Sequence, residues 1–228
     1  MNSIKLTPDQ IQSFQRERFP LLKAIILTGI TPENSANIRT EYLEELAKSI
    51  HIYLEIERSE EAYLREFLPT PMKVHIAGIH AEFLTRGQDV TRLDAILSAL
   101  EIECSFPLNA LALSLRFGQK ATALLNLASF TNASQRIAVL SFDENAAAKT
   151  LNASSSFDSH GDLLSPFSLA QNQILFLARS RGTMCLASLP QGGLSESQLK
   201  HRYTEALKCG FDGVFLNSLE QLSPLAKC

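Results

Sequence analysis

The chain has 228 residues, 45% of them hydrophobic and 20% charged, which is enough for one large core and reads as a single αβ domain over residues 1–228. Its net charge is −3 and its basic residues are scattered, which excludes the electrostatic footprint of a nucleic-acid binder or a membrane-surface protein. No apolar run reaches about 18 residues and no basic-then-apolar leader opens the chain, so the expected setting is cytoplasmic.

In chain order, Thr7 to Arg18 reads as a helix with Thr7 as N-cap and Pro8 at the first helical position. Residues 1–19 are therefore expected to form a helical extension lying over one end of the fold. Lys23 to Ile30 is an apolar run read as the first strand, and Asn34 to Ile50 has helical spacing through Ile38, Tyr42, Leu43 and Leu46. Ile52 to Glu57 is read as a strand, Ser59 to Phe67 as a short helix, Lys73 to Ile79 as a strand and Val90 to Leu100 as a helix. Ile102 to Pro107 and Ala112 to Phe117 are read as consecutive strands, followed by a helix over Gln119 to Phe130.

Ile137 to Phe142 is the next strand, with a brief helix over Asp143 to Leu151 and a flexible Ser-rich loop over residues 152–166. Phe167 to Arg181 is helical, Thr183 to Leu189 is a strand, and Glu196 to Lys208 is a helix stopped by Gly210 before the last strand, Val214 to Leu216. Eight apolar strands, nearly all separated by helices and without a Gly-rich phosphate turn, predict a shortened (β/α)8 TIM-type barrel. The cysteines Cys104, Cys185, Cys209 and Cys228 have no paired spacing and are expected to be core or loose thiols.

Two segments carry a resemblance. Gln173-Ile174 followed by Ala178-Arg179-Ser180-Arg181-Gly182 is similar to a helix reading "S-Q-I, four residues, A-R-A-A-G", and Gly210-Phe211-Asp212-Gly213 with Gln221 is similar to a turn reading "G-F-D-G-K-x-x-I-H-P-x-Q". Weaker echoes are Thr31-Pro32-Glu33, Phe106-Pro107 and Leu125-Asn126. On these grounds the chain resembles a divergent member of the citrate lyase beta-subunit family, within the barrel superfamily that also holds the malyl-CoA lyases.

That resemblance implies carbon–carbon bond chemistry beside an acyl-thioester, with Mg²⁺ held by two carboxylates acting as a Lewis acid. Measured against the family's motifs, the first metal carboxylate is replaced by Gln119 and the second falls on Ala146, with Asp143 and Glu144 close by as possible replacements. The family's clamp Arg falls on His75, its strand-seven acid on Ala187 and its last-turn Lys on Val214, while its "D-L-E-D" reads Glu55-Ile56-Glu57-Arg58. A neutral amide and a methyl group cannot neutralise a divalent ion, so the expectation is a family barrel without the metal site and with no cofactor.

Among the residues left, Glu55 and Glu57 are spaced to share one strand face, with His75 on the neighbouring strand and His80 as a further donor. Arg116 and Asp143 read as an anion contact and its counter-charge, with Glu55, Arg116 and Gln119 as the substrate-binding set and Glu57, His75 and Asp143 as the catalytic set. The Ser, His and Asp residues of the 152–166 loop are neighbours in sequence without a nucleophile elbow, which argues against a hydrolase triad.

The function expected from these residues is a binding or assembly protein that has lost the lyase site. It would take a small carboxylate or acyl-thioester, or an intact paralogue or other subunit. The alternative is an active carbon–carbon lyase or aldolase with Mg²⁺ in a site rebuilt from Glu55, Glu57, His75, Asp143 and Glu144.

Overall fold

Ile4 and Leu6 alternate with Ser3 and Lys5, and this period of two makes Asn2–Leu6 a strand, β1. The computed structural model describes residues 2–12, 14, 21–31, 40–73, 76–159, 162–189, 195–221 and 225. The remaining strands are β2 (Leu22–Leu27), β3 (His51–Ile56), β4 (Gly78–Ala81), β5 (Ala112–Phe117), β6 (Ile137–Phe142), β7 (Met184–Ser188) and β8 (Gly213–Leu216). All pair in parallel in the order β1 to β8, and β1 pairs with both β2 and β8 to close the barrel.

Among the described residues the α-helices are α1 (Pro8–Gln12), α2 (Thr40–Ala47), α3 (Glu61–Phe67), α4 (Pro69–Met72), α5 (Gly87–Glu103), α6 (Ala121–Leu125), α7 (Glu144–Thr150), α8 (Ser165–Arg181) and α9 (Glu196–Lys208). The predicted (β/α)8 barrel is thus the observed fold, reached by two errors of strand assignment that cancel.

Residues 2–6, expected within a helical extension, are the closing strand; the helix itself starts where expected, at Pro8, and the Gln10 amide donates to the Thr7 hydroxyl. The strand expected over Ile102 to Pro107 does not form. Leu93, Ile96, Leu97 and Leu100 keep helical spacing and carry α5 through Glu103, after which Ser105 takes φ +60°. Likewise α4 occupies Pro69–Met72, so β4 begins at Gly78 instead of Lys73.

Alternate side chains of each strand divide the core in two. Outward residues such as Ile4, Ile25, Leu54, Leu115, Leu140 and Leu216 pack under the helices. Inward residues Ala24, Ile26, Tyr53, Val139, Leu186 and Phe215 form a separate cluster that plugs the barrel. Each fully buried Leu or Ile contributes about 1.5–3 kcal/mol.

At the N-terminal end of the barrel Arg136 is fully buried. It donates to Glu101 from both terminal nitrogens, at 2.6 and 2.7 Å, to Asp94 at 2.5 Å and to Ser98 at 2.9 Å. Glu101 in turn accepts the Asn109 and Leu111 amides, both at 2.8 Å, so α5 is tied to the entry of β5 and β6. Arg179 on α8 donates to the Gly210 carbonyl and to Asp212, 2.9 Å, and Asp212 accepts the Cys185 amide at 2.7 Å. The best-matched motif is therefore a brace for the entry of β7 and β8.

Candidate functional site

At the C-terminal ends of six of the eight strands the inward residues are polar. Lys5, Glu55, His80, Ser114, Arg116, Ser141 and Ser188 come from β1, β3, β4, β5, β6 and β7, with Glu82, Asp143 and Asn217 just beyond strand ends. In barrels of this kind chemistry resides at this mouth. Strand register puts Glu55 beside His80 and His80 beside Ser114.

Glu82 is the hub. Its Oε1 is 2.6 Å from Lys5 Nζ, 3.1 Å from His80 Nε2 and 3.7 Å from Arg116 Nη1, while its Oε2 accepts from Gln119 Nε2 at 2.5 Å. Burial by itself would raise the Glu82 carboxyl. The hydrogen bond from His80 and the positive charges of Arg116 and Lys5 outweigh it and hold the group well below the ordinary carboxylate range. His80 is fully buried, which pushes its imidazole below the usual value against the pull of Glu82. A neutral ring with its proton on Nε2 meets both contacts, donating to Glu82 and accepting from the Ser114 hydroxyl at 2.9 Å.

Lys5 also reaches Glu55 Oε1 at 2.5 Å, so one ammonium lies between two carboxylates. Donor atoms of Glu55, His80 and Glu82 lie within 4.8 Å of one another, a spacing that suits a cation. Lys5 supplies that cation from the chain itself. At the positions where the resemblance expects metal carboxylates, Gln119 spends its amide on Glu82 and Ala146 presents a methyl group in the first turn of α7. These residues do not fit a divalent ion held in the family's manner.

Arg116 is 5% exposed and lies over the Phe215 ring, 3.9 Å from its centroid. Its polar contacts are long: 3.3 Å to the Phe142 carbonyl, 3.4 Å to Asn217 Oδ1 and 3.5 Å to Asp143 Oδ2. Asp143 caps α7, accepting the Ala146 amide on Oδ1 at 2.9 Å. Gly118 makes this possible: at φ +142° it passes over Asp143, where a Cβ would lie 2.2 Å from the carbonyl oxygen.

Glu144 follows Asp143 and is fully buried. Asn145 donates to its Oε1 at 3.1 Å, and its Oε2 accepts no hydrogen bond from the described residues. The nearby Ser188 hydroxyl is directed to the Phe142 carbonyl at 2.5 Å. Burial pushes the Glu144 carboxyl up to about 7, against the charge of Arg116 and the Ser188 hydroxyl.

The structure therefore brings together Glu55, His80, Arg116, Gln119, Asp143 and Glu144 from the sequence-derived candidates. Glu57 is not among them. β3 ends at Ile56, so Glu57 is turned to solvent and does not share the inner face with Glu55. His75 lies outside the described residues, as do Pro32 and Glu33 of the expected first turn and His160 of the Ser-rich loop.

Ala187 and Val214 are buried in the outer core, under the helices, so charges there would not reach the mouth. Sequence reasoning missed Lys5 and Glu82. Both were signalled by alternation, Ser3-Ile4-Lys5-Leu6 and Ile79-His80-Ala81-Glu82, the first in a stretch read as helical extension and the second running past the expected end of a strand at Ile79.

No family model matches the sequence, and no curated protein matches it. Solved structures do. Haloferax volcanii malate synthase in its magnesium and glyoxylate complex matches with TM-score 0.74 at 14% identity, over 99% of this chain and 74% of that one. CitE from Mycobacterium tuberculosis with magnesium and pyruvate matches with TM-score 0.72 at 15% identity, over 99% and 88%. RipC from Yersinia pestis gives 0.68 at 12% identity, over 99% and 93%. The likeness is one of fold. Among the described residues, no helix is long and apolar enough to cross a membrane.

Proposed function

We propose that this barrel binds a small carboxylate or acyl-thioester at its mouth without a divalent ion, and that it has lost the carbon–carbon cleavage implied by the citrate lyase beta-subunit resemblance. The observation that carries this reading is Lys5 Nζ at 2.5 and 2.6 Å from Glu55 and Glu82. An internal ammonium satisfies the convergent carboxylates, and expelling it would strand a charge in a partly buried site. Gln119 and Ala146 at the expected metal positions support the same conclusion. The likeness to barrels solved with magnesium and with glyoxylate or pyruvate supports the choice of ligand class.

Arg116 offers the ligand a charged, forked donor whose present contacts are all 3.3 Å or longer. Its stacking on Phe215 fixes the plane of that fork. Calorimetric titration with pyruvate and with acetyl-CoA, each with and without Mg²⁺, tests the reading. Binding of at least one of them that is unchanged by Mg²⁺, with no turnover of oxaloacetate, is expected; binding or turnover that requires Mg²⁺ would overturn it.

A second reading has one observation in its favour. The Glu55, His80 and Glu82 donors converge closely enough to hold a cation, and a magnesium-dependent lyase would use them once Lys5 had moved aside. The Mg²⁺ arm of the same titration decides between the two.

A further inference from the structure

Lys5 Nζ and Arg116 Nη1 lie on the same oxygen, Glu82 Oε1, at 2.6 and 3.7 Å, which puts the two nitrogens at most about 6 Å apart. The Lys5 side chain is 24% exposed and that of Arg116 3%, so the amine is open to solvent and the guanidinium lies deeper. In a 2-oxo acid the carbonyl carbon is bonded directly to the carboxylate. Such a molecule bridges about that span, its carboxylate on the Arg116 fork and its carbonyl carbon at Nζ.

We propose that Lys5 is a nucleophile whose amine forms an imine with the carbonyl carbon of a small 2-oxo monocarboxylate, such as pyruvate, held by its carboxylate on Arg116. Glu55 Oε1, at 2.5 Å, accepts the proton that Nζ gives up before it attacks. The N–C bond forms first, giving a carbinolamine. Both protons that the nitrogen loses then leave on the former carbonyl oxygen as water, and C=N replaces C=O. No electrons pass to another group, and hydrolysis reverses the step.

The protonated imine keeps one hydrogen and one positive charge on Nζ, so the balance with Glu55 and Glu82 is the same before and after the reaction. A lysine set between two carboxylates suits this step because the iminium inherits the ion pairs of the ammonium, and no charge is stranded in the partly buried site. A second carboxylate on the ligand, as in oxaloacetate, would be repelled by Glu55, Glu82 and Asp143, which restricts the site to monocarboxylates. The inference rests on the metal-free reading above, since Lys5 stays in place, and it names the ligand class of that same site.

The experiment is reductive trapping on the full chain, with pyruvate, sodium cyanoborohydride and EDTA, followed by mass spectrometry of a digest. The reductant converts C=N to an amine that no longer hydrolyses. One adduct per chain is expected, on the peptide that carries Lys5, with labelling by the dicarboxylate 2-oxoglutarate weaker by about tenfold or more. Lys5→Arg, which keeps a positive charge at this position and cannot form the imine, should remain unlabelled. The label is located on the natural protein, so the result stands however Lys5→Arg folds.

Pyruvate that binds in calorimetry, unchanged by Mg²⁺, yet leaves Lys5 unlabelled would overturn the inference while leaving the metal-free reading intact. Label scattered over other lysines and retained in Lys5→Arg, or acetyl-CoA binding without pyruvate binding, would do the same. Labelling of Lys5 by 2-oxoglutarate as full as that by pyruvate would overturn the restriction to monocarboxylates. Pyruvate bound only with Mg²⁺ would overturn the reading itself, and the inference with it.

Discussion

Glu144 shows how the energetics of one side chain set a pH response. Its carboxyl is raised from 4.5 to about 7 by burial, so between those values the folded chain binds more protons than the unfolded chain. Stability therefore falls as pH rises through that window, by roughly 3 kcal/mol at most. Chemical denaturation at about pH 5 and pH 8 should show this loss in the natural protein, and Glu144→Gln should remove most of it. A natural protein as stable at the higher pH as at the lower would contradict the burial argument.

At the same scale, legibility in the sequence was uneven. Residue type and position placed Arg116, Asp143 and Gln119 at the mouth, because they lie in or just after β5 and β6, whose limits match the strands expected over Ala112 to Phe117 and Ile137 to Phe142. Glu82, the hub, was hidden because helix α4 delays β4 by five residues, from Lys73 to Gly78, which moves the inward positions from His75 to His80 and Glu82. A one-residue change in phase exchanges the faces of a strand, so a short strand of uncertain start cannot assign its own inner face.

Among the elements, β1 and α5 are the ones whose boundaries matter. β1 is five residues long and carries the Lys5 that organises the site, yet two of its residues, Ile4 and Leu6, supply its whole outward apolar face. Local pattern is weak over such a stretch, and closure by β8 through Ser3–Phe215 and Ile4–Leu216 is a long-range fact. Ile4→Ala should cost about 2–5 kcal/mol in denaturant unfolding, because it empties a fully buried position in a strand that closes the ring. A loss below about 1 kcal/mol would fit a dispensable extension and would contradict the closing-strand role.

Helix α5 makes the opposite case. Its spacing was legible, but its length was cut short because Ile102-Glu103-Cys104-Ser105-Phe106 alternates apolar with polar residues and so also reads as a strand. The fully buried Arg136–Glu101 pair fixes its end to β5 and β6. Removing the cation by Arg136→Met should destabilise the protein by about 3–5 kcal/mol, since Glu101 is then left buried and unpaired. The double variant Arg136→Met with Glu101→Leu should recover a large part of that loss, as a thermal melt would register.

Over the whole molecule, the barrel was legible because its signal is distributed over repeated strand–helix steps, and each misplaced strand left the count at eight. The site was less so. The segments that carry the family likeness, around Arg179–Gly182 and Gly210–Gly213, brace the entry ends of β7 and β8, whereas the chemistry lies at the other end of the barrel. A motif can therefore report architecture without reporting the mouth. There the Lys5 ammonium lies between the Glu55 and Glu82 carboxylates.

The proposed metal-free reading, in which Lys5 occupies the place of a cation, is tested most directly by Mn²⁺ binding, followed by electron paramagnetic resonance, in the natural protein and in Lys5→Met. The natural protein should leave Mn²⁺ free, and Lys5→Met, which releases Glu55 and Glu82 beside His80, should bind it. Tight Mn²⁺ binding by the natural protein, unchanged or weakened in Lys5→Met, would contradict the account.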